Sequence, residues 1–272
     1  MQLRFAGAHG SGAHKTAPNV HQSNVDTVPA EEVLILSDIE RGFALGLGRE
    51  PPQLPSVLLG ALDVSPLEVA QLYNAFANGG FSTPLRAVRA VVDAEGKPIK
   101  SFALEVTPVA DTAAIYQVNR MLVQVMEHGS GQAARAQLPP EIVVAGKTGT
   151  SSDYRDSWFA GFSGNTLAVV WIGYDDNSPT GLTGSSGSLP VWARLMRSIG
   201  TTSWNAPLPE GLEDRSIEFK TGLAAEARCG GEDLVMVAVP SGTQLPAKPG
   251  CEPGVFSGLG ERAREWWRGI VR

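Results

Sequence analysis

The chain has 272 residues, of which 43% are hydrophobic, so it can bury one large core or two modest ones and should fold as a globular protein. Its formal net charge is −6 and its lysines and arginines form no cluster, which excludes a nucleic-acid-binding surface from the expected functions. No window reaches the roughly 18 apolar residues of a membrane span, and the start lacks the long apolar run of an export signal.

The first 42 residues give the weakest structural signal. Residues 1 to about 30 are rich in Gly, Ala, His, Ser and Asn and show no apolar periodicity, so we expect little order there. Residues 31–48 could form a helix, although Gly42 and Gly46 weaken the pattern. We therefore treat residues 1–42 as a poorly ordered start that lies outside the main domain.

A helix is predicted between Ser65 and Asn78. Ser65 can cap it, Pro66 suits the first helical position, and Glu68 completes a capping box. The pair Asn78-Gly79 supplies the end of the helix. The residues that follow a three- and four-residue spacing, and so should face the core, are Val69, Leu72, Tyr73, Phe76 and Ala77.

A hairpin and a second helix follow. The alternating run at residues 85–93, ended by Ala-Glu-Gly-Lys-Pro, predicts a strand that enters a turn. Residues 112–128 are amphipathic, and Gly129 marks the end of the helix that we predict there. The apolar side of this helix is predicted to consist of Ile115, Val118, Met121, Leu122, Val125 and Met126.

The most informative stretch surrounds a lysine. A buried strand is predicted at residues 142–145, because its β-branched residues suit a pleated surface and glycine follows it. Lys147 comes next, and Gly146 and Gly149 remove side-chain bulk on either side of it. Another backbone or a ligand can therefore lie alongside the lysine.

Two hydroxyls accompany this lysine, since Thr148 and Thr150 lie two residues apart on the same side of an extended chain. An ammonium group with hydroxyls at a strand edge suits a carboxylate ligand. A solvated lysine at the end of a strand is the simpler interpretation. A phosphate-binding loop is disfavoured, because the glycine required five residues before Gly146 is replaced by Glu141.

Two more strands and a closing helix are predicted downstream. The sequence Trp-Phe-Ala-Gly-Phe at residues 158–162 should form a hairpin with residues 165–175, joined by Ser163-Gly164-Asn165. After a flexible, turn-rich connection, residues 189–199 are predicted to form a helix. The residues at helical spacing there are Val191, Trp192, Leu195 and Met196.

The end of the chain differs in composition from the rest. Residues 201–215 are predicted to be a linker, and residues 216–272 a small β appendage that contains both cysteines, Cys229 and Cys251. These cysteines either stay reduced or form a disulfide that closes the intervening loop in an oxidising compartment. The four histidines show no metal-ligand spacing with them, so we expect no zinc site and no other metal or cofactor.

Three stretches resemble a known family. Lys147-Thr148-Gly149-Thr150, followed by a polar loop and Asp-Ser-Trp-Phe-Ala-Gly-Phe at 156–162, is similar to the third motif of the penicillin-binding protein and serine β-lactamase superfamily. Residues 59–71, Leu-Gly-Ala-Leu-Asp-Val-Ser-Pro-Leu-Glu-Val-Ala-Gln, and residues 127–131, Glu-His-Gly-Ser-Gly, resemble the transpeptidase domain of bifunctional class A penicillin-binding proteins. A cysteine-bearing tail like the one here follows that domain in the 1B-like branch.

The resemblance covers about residues 43–255 and implies a fold class. We expect an α+β protein with helices packed on an antiparallel sheet, similar to penicillin-binding proteins and serine β-lactamases but incomplete, with the small C-terminal β appendage. Residues 43–200 would form the partial transpeptidase domain. The start, residues 1–42, has no counterpart in the family.

The resemblance also implies an activity, which is peptidoglycan cross-linking by serine D,D-transpeptidation, with β-lactams as acylating mimics of the stem peptide. Lys147 and the hydroxyls of Thr148 and Thr150, in the motif that includes Gly149, would bind the terminal carboxylate, and the backbone N–H of Thr150 would be one of two oxyanion donors. The implied partners are the stem peptide, β-lactams and cell-wall synthesis proteins. The implied location is the periplasmic face of the bacterial inner membrane, with contact to the membrane only through a segment absent from this chain.

The nucleophile motif of the superfamily is missing from this sequence. None of the six lysines has a serine three residues before it, so no Ser-x-x-Lys occurs. Ser-x-Asn occurs only as Ser203-Trp204-Asn205, after the Lys-Thr-Gly strand, and we interpret it as a coincidence. Intact members of the family that this chain resembles also carry a glycosyltransferase domain.

We therefore predict a partial penicillin-binding protein, truncated on its N-terminal side, that is inactive by itself. A truncated or frame-shifted gene would explain such a chain. The alternative is a non-catalytic fragment that binds a peptide or a partner protein along an exposed sheet edge. A soluble β-lactamase is disfavoured, because it would not explain the helix after Ser65 or the cysteine-bearing tail.

Overall fold

A computed structural model of the chain describes residues 46, 47, 49, 57, 60, 62–226 and 233–249. The chain divides into two compact units, Met1–Pro207 and Leu208–Arg272. The predicted start at 1–42, most of the helix predicted at 31–48, and the two candidate disulfide cysteines, Cys229 and Cys251, lie outside the described residues.

Three α-helices lie in the described part of the first unit. They are α1 (Pro66–Ala77), α2 (Thr112–His128) and α3 (Ser188–Ser198). The capping box predicted for α1 is present, since Glu68 N donates to Ser65 Oγ at 3.2 Å and Ser65 N donates to Glu68 Oε2 at 2.7 Å. Asp111 caps α2 by accepting a hydrogen bond from Ala114 N at 2.8 Å.

The buried faces of two helices differ from the prediction. In α2, Met121 was expected in the core but is 59% exposed, whereas Asn119 and Val123 are buried. In α3, Val191 and Leu195 are 44% and 42% exposed. The reason is that a helix lying on a sheet buries only the arc that faces the sheet, and apolar residues at the border of that arc stay in contact with solvent.

A three-stranded antiparallel sheet has the order β5-β6-β7, where β5 is Ala145–Thr150, β6 is Ser157–Phe162 and β7 is Leu167–Ile172. Its register pairs Thr148 with Phe159 and Phe159 with Val170. The predicted hairpin of the second and third strands is confirmed, with a turn that starts at Ser163.

The first strand of this sheet was predicted too early, at residues 142–145. Val143 lies before β5, and its N–H donates to Ser203 Oγ at 2.7 Å while its C=O accepts from Trp204 N at 2.8 Å. Because these backbone groups bond to the segment at 203–204 instead of β6, the strand begins only at Ala145. Lys147 is consequently the third residue of the strand and does not leave its end.

The core beneath β5 and β6 is formed by one face of the sheet, α2, α3 and the 3₁₀ helix Gln132–Ala136. Phe159 and Trp192 are both 0% exposed, with ring centroids 4.8 Å apart. Trp192 Nε1 also donates to Ala168 O at 3.1 Å. Since Thr148 pairs with Phe159, its side chain projects from the face that this core covers.

The first unit also contains two small two-stranded sheets. One pairs β1 (Phe81–Ser82) with β4 (Thr107–Pro108), and the other is the hairpin of β2 (Ala90–Val92) and β3 (Pro98–Ser101). The hairpin confirms the turn predicted from Ala-Glu-Gly-Lys-Pro, although its first strand is shorter than residues 85–93. With helices and antiparallel sheets together, the fold class is α+β, as expected.

In the second unit, β8 (Leu212–Glu218) and β9 (Leu234–Pro240) form an antiparallel pair. The stretch predicted as a linker, residues 201–215, contains regular structure at its end, because β8 begins at Leu212. Within the first unit, Trp204 of the same stretch is only 9% exposed, and its ring centroid lies 5.7 Å from that of Tyr116, with the two ring planes tilted by 38°. The boundary between the units falls at 207/208, inside the predicted linker.

Candidate functional site

The four residues singled out from the sequence lie together on β5. This strand is at the edge of the described sheet, with β6 as its neighbour. Lys147 and Gly149 point to one face, and Thr148 and Thr150 to the other, because side chains alternate along a strand. Thr148 is 8% exposed, whereas Lys147 and Thr150 are partly buried.

The lysine turns toward the hydroxyl face of its own strand. Lys147 Nζ donates to Thr148 O at 2.9 Å and to Thr148 Oγ1 at 3.3 Å. Burial lowers the pKa of Lys147, because the charged ammonium loses hydration. Among the described residues, no carboxylate forms an ion pair with this ammonium group. The site therefore presents a partly buried positive charge that an anion can neutralise.

A third hydroxyl, with no role predicted from the sequence, belongs to Ser130. Its Oγ lies 2.6 Å from Thr148 Oγ1. Ser130 follows α2 in a tight turn, in which Gly129 N and Gly131 N both donate to Val125 O, at 3.1 Å and 3.0 Å. A Cβ on Gly131 would lie 2.5 Å from the Met126 Sδ atom, so glycine suits this turn. The signal in the sequence was Glu-His-Gly-Ser-Gly, which indicated the family but not a role for the serine.

Thr150 is held by a loop that was predicted from its sequence to be a flexible connection. Gly184 N donates to Thr150 Oγ1 at 3.0 Å. A Cβ on Gly184 would lie 2.6 Å from both Gly149 O and Trp158 O, so only glycine allows this approach. A second hydrogen bond fixes the loop to β6, since Ser157 Oγ donates to Thr183 O at 2.8 Å.

The turn after β5 is fixed by side-chain hydrogen bonds. Asp156 N donates to Ser151 Oγ at 2.7 Å, and Ser151 N donates to Asp156 O at 3.1 Å. Trp171 Nε1 donates to Asp156 Oδ1 at 2.9 Å. These contacts hold the C-terminal end of β5, and with it Thr150, in one position.

Some hydrogen-bond donors of this site are not used within the described part of the chain. A lysine ammonium has three N–H bonds, and two of those of Lys147 are used. Ser130 and Thr148 share one hydrogen bond between two hydroxyls, so one of their two protons remains. Thr150 accepts from Gly184, which leaves its own proton available. The arrangement can thus donate several hydrogen bonds to an anion such as a carboxylate.

Other features from the sequence lie apart from this site. Ser203, the first residue of the Ser-x-Asn copy, uses its hydroxyl to bind the backbone before β5, which is a structural role. In the described ranges, no group of three or more His, Cys, Asp or Glu residues could hold a metal ion. Of the helices at residues 62–226, none has the length and apolar character needed to cross a membrane.

Comparison with protein families and curated proteins gives consistent matches. Residues 50–197 match the penicillin binding protein transpeptidase domain. The chain is 38% identical over 191 residues to penicillin-binding protein 1B of Vibrio cholerae and 34% identical over 198 residues to penicillin-binding protein 1B of Escherichia coli. These alignments cover 70% and 72% of the chain but 24% and 23% of the relatives. The chain therefore spans about a quarter of the length of the curated relatives it matches.

Solved structures with the same fold include penicillin-binding protein 1A from Haemophilus influenzae. It has a TM-score of 0.65 at 19% identity, over 80% of this chain and 39% of that chain. The PonA1 protein from Mycobacterium tuberculosis in complex with penicillin V has a TM-score of 0.52 at 20% identity, over 65% of this chain and 55% of that chain. At these identities the likeness shows a shared fold.

Proposed function

Because this chain belongs to the penicillin-binding protein transpeptidase family, we propose that β5 binds the C-terminal carboxylate of a peptidoglycan stem peptide that ends in D-Ala-D-Ala. Lys147 would supply the charge, and the hydroxyls of Thr148 and Thr150 would supply neutral hydrogen bonds. Gly149, between the two threonines, would leave room for the peptide alongside the strand.

The observation that supports this proposal is the environment of one ammonium group. Lys147 Nζ is held 3.3 Å from Thr148 Oγ1 in a partly buried position, without an ion pair among the described residues. A charge with reduced hydration gains more from a counter-ion than an exposed one does. Hydrogen bonds that involve an ionised group are also shorter and stronger than neutral ones.

For catalysis we propose a limited contribution from this chain. The backbone N–H of Thr150 would be one of the two donors to the oxyanion of the acyl-transfer intermediate, a kind of contact worth about 100- to 1000-fold in rate. The sequence contains no Ser-x-x-Lys, so it offers no activated serine of the family type. The 272-residue chain alone is therefore expected neither to cross-link peptides nor to form a stable acyl-enzyme with penicillin.

The proposal is tested by equilibrium binding of diacetyl-Lys-D-Ala-D-Ala and of its C-terminal carboxamide to the full chain. We expect the acid to bind more tightly than the amide, and Lys147→Met to remove that preference. Lys100→Met is the matched control, since Lys100 lies on the exposed hairpin strand β3. Equal binding of acid and amide by the unmodified chain would contradict the proposal.

A second candidate function is supported by the position of β5 at the edge of the described sheet. An exposed edge can bind a peptide or a partner protein by adding a strand, without chemistry. Incubation with a fluorescent penicillin tests what both candidate functions assume, which is that this chain does not form an acyl-enzyme. Stable covalent labelling would show that this chain contains a nucleophile. Reversible peptide binding without labelling would agree with carboxylate binding by β5 and with strand addition at its edge. The comparison of acid and amide separates the two, because strand addition does not depend on a C-terminal carboxylate.

We also propose three properties that are expected from the family. They are reversible binding of β-lactams, partners among cell-wall synthesis proteins, and a location at the periplasmic face of the inner membrane. In an oxidising compartment of that kind, a disulfide between Cys229 and Cys251 would be stable. Mass spectrometry of the chain under non-reducing conditions tests the disulfide, because the linked form is two hydrogens lighter.

A further inference from the structure

The geometry points to Ser130 as a positioning residue of the carboxylate site, which directs a hydroxyl proton of the Ser130–Thr148 pair toward the ligand. This inference rests on the proposed function of β5. It adds a residue from the turn after α2, outside the Lys-Thr-Gly strand and 18 positions before Thr148.

The contact between the two hydroxyls is short. Ser130 Oγ and Thr148 Oγ1 are 2.6 Å apart, near the lower end of the range for hydrogen bonds between hydroxyl groups. Thr148 is 8% exposed, whereas Ser130 is exposed to solvent. A ligand lying along β5 can therefore reach the side of the pair where Ser130 is located.

The two hydroxyl protons of Ser130 and Thr148 determine how many hydrogen bonds this pair can donate to a ligand. Lys147 Nζ already donates to Thr148 Oγ1, which occupies one of the two acceptor sites of that oxygen. If Ser130 donates to the other site, the proton of Thr148 must turn to a different acceptor. If Thr148 donates to Ser130, the Ser130 proton is the one that remains. In both arrangements one hydroxyl proton is left for an external acceptor.

Without Ser130 this constraint disappears. The Thr148 hydroxyl would keep only the bond from Lys147 and could rotate its proton among several directions. Ligand binding would then also have to fix the orientation of the Thr148 hydroxyl, and the entropy lost in doing so would lower the affinity. The turn itself is well suited to hold the serine, because Val125 O accepts from both neighbouring glycines, Gly129 and Gly131, and Gln132 N donates to Gly129 O at 3.1 Å.

The test compares Ser130→Ala, Ser130→Thr and the unmodified chain in binding diacetyl-Lys-D-Ala-D-Ala and its C-terminal carboxamide. The measured quantity is the ratio of the two affinities. We expect Ser130→Ala to lower the preference for the acid by about two- to tenfold, the cost of fixing the orientation of one freed hydroxyl when the ligand binds. Ser130→Thr keeps the hydroxyl and should keep the ratio. Ser198→Ala, which removes an exposed hydroxyl at the end of α3, is the matched control and should not change it.

Each other outcome contradicts the inference. A Ser130→Ala variant that keeps the preference, or that loses affinity for acid and amide equally, would show that Ser130 supports the turn and not the ligand. A ratio for Ser130→Thr as low as that of Ser130→Ala would show that the hydroxyl is not the group that matters. If the unmodified chain binds neither peptide, the proposed function of β5 is wrong, and the inference about Ser130 falls with it. If the unmodified chain prefers the acid and Ser130→Ala keeps that preference, only the inference about Ser130 is wrong.

Discussion

Lys147 Nζ lies 3.3 Å from Thr148 Oγ1, although the two side chains leave β5 on opposite faces. The lysine bends around the free edge of the strand to reach the hydroxyl of its neighbour. This is possible because β5 is an edge strand of the described sheet. The ammonium group and the hydroxyls of Thr148 and Thr150 can therefore act on one ligand.

Removing the Thr148 hydroxyl tests whether this contact matters for binding. Thr148→Val keeps the volume of the side chain but cannot hydrogen-bond to Lys147, Ser130 or a ligand. We expect the affinity for diacetyl-Lys-D-Ala-D-Ala to fall by about 10- to 150-fold, because a hydrogen bond to a charged group is typically worth about 1.5–3 kcal/mol. Isothermal titration calorimetry measures this. Thr107→Val, on the exposed strand β4, is the control, and equal affinities for all three proteins would contradict the role given to Thr148.

The lowered pKa of Lys147 predicts how stability depends on pH. Because the pKa in the folded chain lies below the ordinary value of 10.5, the folded state binds fewer protons than the unfolded state between these two values. The free energy of unfolding should therefore rise with pH across that window. Lys147→Met should lack this rise, whereas Lys100→Met should retain it. Urea denaturation from pH 8 to 10.5 measures the difference, and parallel curves for Lys147→Met and the unmodified chain would be inconsistent with a depressed pKa.

Gly184 gives a prediction about the loop over β5. An alanine there would place a Cβ 2.6 Å from two backbone oxygens, Gly149 O and Trp158 O, which cannot move without breaking the sheet. We expect Gly184→Ala to lower the free energy of unfolding by about 1–3 kcal/mol and to weaken acid binding, because the loop must shift away from Thr150. Gly181→Ala is the comparison, since nothing lies within 4 Å of its Cβ position and only its φ of +72° resists alanine.

The expected cost of Gly181→Ala is about 1 kcal/mol, from backbone strain alone. It should leave the affinity for the acid peptide unchanged. Chemical denaturation and calorimetry of the two variants separate steric from conformational effects. If Gly184→Ala binds the peptide as well as Gly181→Ala does, the loop does not help to position Thr150.

Two methionines of α2 test the observed orientation of that helix. Met126 is 1% exposed and Met121 is 59% exposed, although the sequence placed both on the buried side. Met126→Ala should lower the free energy of unfolding by about 2–5 kcal/mol through loss of core packing. Met121→Ala should change it by less than about 0.5 kcal/mol. Denaturation curves that rank the two variants in the opposite order would contradict the structure.

Much of the fold follows from local sequence signals. The capping box at Ser65 determines where α1 begins, and Gly129 determines where α2 ends. Both signals are visible in the sequence, because caps act through residues adjacent in the chain. The hairpin of β6 and β7 follows from strand-forming runs on both sides of a short polar turn. The start of β5 could not be predicted, since it depends on hydrogen bonds between Val143 and a segment 60 residues later.

The site was predicted only in part, for the same reason. Lys147, Thr148 and Thr150 lie in one short window, so their spacing on a strand was visible in the sequence. Ser130 and Gly184 approach β5 from other elements, and their roles depend on tertiary distances of 2.6 Å and 3.0 Å that no local pattern encodes. The orientation of Met121 likewise depends on what packs against α2 and not on its own periodicity.

The most direct test of the central claim is an NMR titration of the Lys147 side chain, followed through its Cε and Nζ resonances, without and with diacetyl-Lys-D-Ala-D-Ala. Without peptide, the pKa of Lys147 should lie below 10.5. A bound carboxylate stabilises the charged ammonium, so the peptide should raise this pKa, and the C-terminal carboxamide should not. The same pKa with saturating acid peptide as without it would show that the carboxylate does not lie against Lys147.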